Sequence, residues 1–181
     1  LYGPYIAGLF GVGQRVGRLP VTLVSQSVAQ VYLAEASRLA TEDIEALITL
    51  FSKTIRKLFI IGLLPTLLLA VASRWVFSIV FGPEWGLAGE FVQILAISYL
   101  AQFVALPVSQ TLNVLERQDL QLAWDFSRAV LVVIAFVIPH ALHVGPTGAI
   151  ATYAAAMLVA YILLIVLARA SLLKRRKEAT S

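Results

Sequence analysis

Two arginines three positions apart, Arg15 and Arg18, stand in a stretch otherwise made of apolar residues, glycines and uncharged polar groups. With Thr22, Ser25 and Ala29 they step by three or four residues. Wound as a helix they therefore share one face, with Gln14 and Gln26 beside it. A guanidinium keeps its charge in almost any surroundings and presents a planar fork of donors, which suits a phosphate or pyrophosphate. The same arginines could instead snorkel to a membrane interface or pair with acids on another helix; their depth decides between the readings. A second stripe, Ser98, Gln102, Ser109 and Asn113, lies on one face of an apolar segment that Pro107 interrupts. It reads equally as a cavity wall or as hydrogen-bonding glue between helices. Asp125 and Arg128 can neutralise each other at a spacing of three, as an interfacial ion pair or as a gate latch.

Other signals carry less. Gly8, Gly11, Gly13 and Gly17 follow no strand and make no phosphate loop, although the Gly13 to Gly17 spacing lets helices approach closely. His140 and His143 sit between Pro139 and Pro146 with no carboxylate beside them, and read as turn residues rather than a metal site. The chain has no cysteine, which removes disulfides, thiolate metal sites and a cysteine nucleophile. No catalytic constellation stands out, so an enzyme, a metal and a cofactor are not expected.

The elements that hold these residues follow from hydropathy. Hydrophobic residues make up 60% of the 181 positions and charged residues only 13%. The apolar residues gather in runs long enough to cross a hydrocarbon core of ~30 Å at ~1.5 Å per helical residue. The expected fold is all-α, a polytopic transmembrane helix bundle with spans at about 5–33, 58–81, 87–115, 120–138 and 147–170. Residues 35–57 mix charges with Ile44, Leu47, Ile48 and Phe51 at helical spacing, and read as an amphipathic connector on the membrane surface. Trp75, Trp85 and Trp124 fall near span ends, where tryptophan anchors at the interface. Residues 171–181 form a basic tail containing Lys174, Arg175, Arg176 and Lys177.

Lysines and arginines concentrate in 35–57, at Arg117 and in the tail, while the turns after the second and fourth spans have none. Five alternating spans put all the basic segments on one side. That side is cytoplasmic, and so is the C-terminus. The same placement explains the net charge of +4 without nucleic acid. The chain opens at Leu1 and reads as a piece of a longer protein, without a signal peptide.

Phe10 to Leu39, with Arg15, Leu19, Pro20 and Ser37, and Phe81 to Gln121, with Phe81, Gly82 and Trp85, carry a family resemblance. The chain resembles the polysaccharide exporters and O-antigen flippases of the superfamily that also holds multidrug extrusion antiporters and the lipid II flippase. Ala34 departs from the pattern where a proline is expected. The resemblance implies a C-terminal fragment of a two-lobed transporter of the bacterial inner membrane whose N-terminal lobe is missing. By alternating access it would flip an undecaprenyl-pyrophosphate-linked oligosaccharide for polysaccharide or lipopolysaccharide synthesis. Arg15 and Arg18 would hold the pyrophosphate, Ser98, Gln102, Ser109 and Asn113 would line the sugar path, and Thr22, Ser25 and Gln26 would be further substrate-binding residues. Membrane lipid and the polysaccharide polymerase machinery would be its other partners. A multidrug cation antiporter and a non-transporting membrane scaffold are the competing readings.

Overall fold

The computed structural model describes residues 2–180, which form five long helices and one short turn of 3-10 helix. They are α1 (Gly3–Glu42), α2 (Ile44–Phe81), α3 (Gly86–Val114), α4 (Gln118–Ala141) and α5 (Pro146–Thr180), with the 3-10 turn at Pro83–Trp85. Among the described residues no strand forms. Four helical stretches, α2, α3 with its preceding turn, α4 and α5, are long and apolar enough to cross a membrane. The fifth helix, α1, is not among those four, because arginines, glutamines and hydroxyls interrupt its apolar run.

Each junction has a local cause. Asp43 is extended, with φ −157° and ψ 98°, and its carboxylate accepts from the backbone N–H groups of Glu45 and Ala46, both at 3.0 Å. It thus ends α1 and caps α2 in a single residue. Gly82, at φ +108°, ends α2 with a backbone conformation that a side chain would resist. After α3 and after α4 the chain closes the same way. Arg117 N–H donates to Leu112 O at 2.8 Å and Val144 N–H to Pro139 O at 2.8 Å. Glu116 and His143 each take φ +56°. This is the left-handed helix stop, here built without glycine.

The central element is α3, buried on nearly all sides and packed against α1, α2 and α5, while α4 packs mainly on α5. Small residues set the spacing. A Cβ on Gly89 would lie 2.5 Å from the Arg74 Cα and the Ser73 carbonyl, so α2 and α3 meet backbone to backbone there. Gly13 and Gly17 face Ala88, Val92 and Tyr99 of α3, the close packing that their spacing suggests. Buried polar ties add direction: Tyr32 and Thr111 share a hydrogen bond of 2.7 Å, and Trp124 Nε1 donates to Ala160 O at 2.7 Å.

Three expectations need correction. Residues 35–57 are no separate surface element: they are the end of α1 and the start of α2, joined at Asp43. The stripe at Leu47 and Phe51 is buried against α3 and α5 rather than turned to lipid headgroups. Trp124 is not an interface anchor but a core residue, 4% exposed, whose N–H is taken by α5. Pro139 does not end its helix, since α4 runs to Ala141 and Pro139 supplies the carbonyl for the turn. The basic tail, as far as Thr180, continues α5.

Candidate functional site

The polar face of α1 looks in two directions. Outward, Gln14, Arg15, Arg18, Leu19 and Thr22 line an open recess of about 310 Å³. Inward, Arg18 also borders a small polar niche of about 20 Å³ between α1, α3, α4 and α5. Arg18 belongs to both. Its guanidinium is held from behind by Gln102 of α3, whose amide carbonyl accepts from Nε at 3.0 Å and Nη2 at 2.9 Å. The guanidinium dictates that amide orientation, since only the oxygen can accept. Two bonds to one side of the fork leave the remaining N–H groups free. Arg15 is exposed one helical turn away. Among the described residues neither arginine has a carboxylate partner.

The rest of the niche comes from three helices. Ser98 and Tyr99 join Gln102 on α3, Arg128 enters from α4, and Tyr153, Met157 and Tyr161 come from α5. Gln14 Nε2 donates to the Tyr153 hydroxyl at 3.1 Å, which ties α1 to α5. Arg128 lies 5.0 Å above the Trp124 ring centroid, and its Nη2 reaches Asp125 at 3.4 Å. So Asp125 and Arg128 do form the pair that their spacing allows, but a loose one, with Arg128 turned toward the niche.

The remaining residues of the two stripes scatter. Thr22 Oγ1 bonds back to Leu19 O at 2.9 Å on the recess edge. Ser25 is fully buried with its hydroxyl unpaired, and Gln26 is exposed away from the recess. On α3 only Ser98 and Gln102 reach the niche. Ser109 is buried and bonds its own helix at Leu106 O, 2.7 Å, and Asn113 is exposed and bonds Gln110 at 2.8 Å. The four therefore do not line one continuous wall. Tyr99, Tyr153 and Tyr161 were not singled out from the sequence, although Tyr153, Met157 and Tyr161 recur every four residues along α5. Farther along α1, beyond its apolar stretch, Arg38 bonds Glu35 at 2.6 Å and also pairs with Glu42. That hydrogen bond holds the Glu35 carboxyl below the usual carboxylate range.

Residues 1–89 match the model of a family described as polysaccharide biosynthesis protein. The matched stretch contains all of α1 and α2, with Arg15, Arg18 and Thr22, and ends at Gly89, where α3 meets α2. The Phe10 to Leu39 segment that carries the resemblance lies inside it, and the Phe81 to Gln121 segment only begins there. No curated protein and no solved structure matches the chain. The first 89 residues are thus similar to a polysaccharide biosynthesis family, and the fold adds four helices long and apolar enough to cross a membrane, as in a multi-pass helical bundle. The recess residues fall within the family match; Gln102 and the niche residues of α3, α4 and α5 fall outside it.

Proposed function

We propose that this chain belongs to a transporter, not an enzyme, which moves a lipid-linked oligosaccharide across the bacterial inner membrane by alternating access. Its substrate would be an undecaprenyl-pyrophosphate-linked sugar, and its C-terminus would be cytoplasmic. One observation carries the reading: α1 presents two guanidinium groups without carboxylate partners, one turn apart, at an open recess of about 310 Å³. Side chains three residues apart on a helix have Cβ atoms about 5–6 Å from each other, a separation that two forks can span around a pyrophosphate. The recess volume lies at the lower end of the range for small-molecule sites, enough for an anionic headgroup with the sugar continuing outside.

The preset of Arg18 by Gln102 supports the same role. An arginine already fixed in one rotamer loses less side-chain entropy when an oxyanion arrives. A carrier of organic cations would gain nothing from two guanidiniums at the recess, which repel its cargo. The match of residues 1–89 to a polysaccharide biosynthesis family also favours a sugar-linked substrate.

The test is surface-glycan display in a flippase-deleted bacterium complemented with the full-length gene, with lipid-linked precursor measured inside the cell. Wild type should restore display and clear the precursor. The Arg15→Ala, Arg18→Ala double variant, at unchanged protein level, should leave the precursor trapped. Normal export by that variant would remove both arginines from the mechanism, and failure of the wild type with several glycan types would favour the antiporter or scaffold.

A further inference from the structure

The niche behind Arg18 has a chemistry distinct from the recess in front of it. Two of its donors find no acceptor in the structure. Arg128 Nε is buried with no partner, and so is the hydroxyl of Tyr99, a residue only 4% exposed. The Gln102 carbonyl is already used twice by Arg18, and the Ser98 hydroxyl is turned back to Leu95 O at 2.7 Å. Two guanidiniums border the space, and no carboxylate lines it. Asp125 lies outside the niche, half exposed, and at 3.4 Å it offsets at most the charge of Arg128. One positive charge is left without a carboxylate partner beside the niche, which apolar surroundings disfavour.

Size narrows what could compensate it. About 20 Å³ admits a single particle near the size of a water molecule. A phosphate, with four oxygens around its central atom, does not fit. A water molecule fits and can accept from Tyr99 and Arg128, yet brings no charge. We propose that the niche binds a monatomic anion of the halide class, chloride in the cell, held between Arg18 and Arg128 with the Tyr99 hydroxyl and Arg128 Nε as donors. Such an ion neutralises the surplus charge and accepts from both unpaired groups at once. It also links α1 to α4 across α3 and α5, and fixes Arg18, the residue that faces the recess, from its inner side.

The experiment uses the full-length protein in detergent, exchanged from chloride into gluconate at constant ionic strength, with chloride, bromide or sulfate titrated back while the thermal unfolding midpoint is followed. A saturable rise is expected with chloride and bromide and none with sulfate, whose size excludes it. Removing one hydrogen bond to an ion, worth about 1.5–3 kcal/mol, should weaken chloride binding about tenfold or more in Tyr99→Phe. Arg128→Gln should flatten the titration. If Arg128→Gln does not fold, Tyr99→Phe still decides, because it deletes a single oxygen. Equal midpoints in chloride and gluconate for the wild type, or a Tyr99→Phe titration that overlays the wild type, would overturn the proposal and leave the niche to water. Since the readout is binding rather than export, the outcome is independent of whether the recess carries a lipid-linked sugar.

Discussion

Arg18 shows how one side chain can be prepared by another that sequence arithmetic does not connect to it. Helical periodicity places Arg15, Arg18 and Thr22 on one face, and the structure finds those three around one recess. The partner that fixes Arg18 is Gln102, on a different helix, and no spacing rule joins the two positions. Their meeting depends on how deep α1 and α3 slide against each other, which Gly13 and Gly17 set by admitting Val92 and Tyr99. Gln102→Met keeps the length of the side chain and removes its acceptor. The guanidinium then loses both bonds, and a destabilisation of about 1.5–3 kcal/mol is expected in denaturant titrations of the purified protein. Gln102→Glu restores two acceptor oxygens and a counter-charge, and should recover that stability while drawing Arg18 away from an incoming anion. A Met variant as stable as wild type would show that the amide does not hold the arginine.

At the scale of elements, the helices themselves were legible. Long apolar runs closed by Gly82 and by the charged or histidine-bearing turns give the five helices to within a few residues for most ends. The stretch around Asp43 was not, because an apolar stripe such as Leu47 and Phe51 has the same period whether it faces lipid headgroups or α3 and α5. Trp124 misled for a similar reason: an indole near a span end suits an interface, and only the Ala160 carbonyl at 2.7 Å reveals it as a tie between α4 and α5. Glycine offers the clearest test at this scale. At Gly89 an added methyl group meets the α2 backbone at 2.5 Å, so Gly89→Ala must push two helices apart and should cost about 1–3 kcal/mol. At Gly11 nothing lies within 4 Å, and Gly11→Ala should be neutral or stabilising by up to about 1 kcal/mol through helix propensity alone. Thermal unfolding of the two variants side by side measures the difference; equal effects would mean that α2 and α3 are not in backbone contact.

For the whole molecule the deciding relation is which helix ends share a pole. Arg176 near the end of α5 pairs with Glu45 at the start of α2, and Glu178 acts electrostatically on Arg117 in the turn between α3 and α4. The turn at Asp43, the turn at Arg117 and the end of α5 therefore gather at one pole, with Lys53, Arg56 and Lys57 following on the third and fourth turns of α2. At the opposite pole Tyr2 packs edge-on against His140, with ring centroids 5.5 Å apart, and Arg74, near the end of α2, is paired with Glu90 at 3.6 Å. The helix ends that carry most of the basic residues thus share one pole, and on the proposed reading the positive-inside bias would turn that pole to the cytoplasm. Because the chain has no cysteine, single introduced thiols report that assignment without interference. Thr41→Cys, Gln118→Cys and Lys174→Cys, all exposed, should react with an impermeant maleimide only after the cells are opened. Glu84→Cys and Gly145→Cys, exposed at the other pole, should react in intact cells. The reverse pattern would invert the orientation while keeping the bundle. Reaction of Thr41→Cys and Gly145→Cys from the same side would mean that α1 to α5 do not alternate across the membrane, and the recess on α1 would then have to be placed at its surface rather than within it.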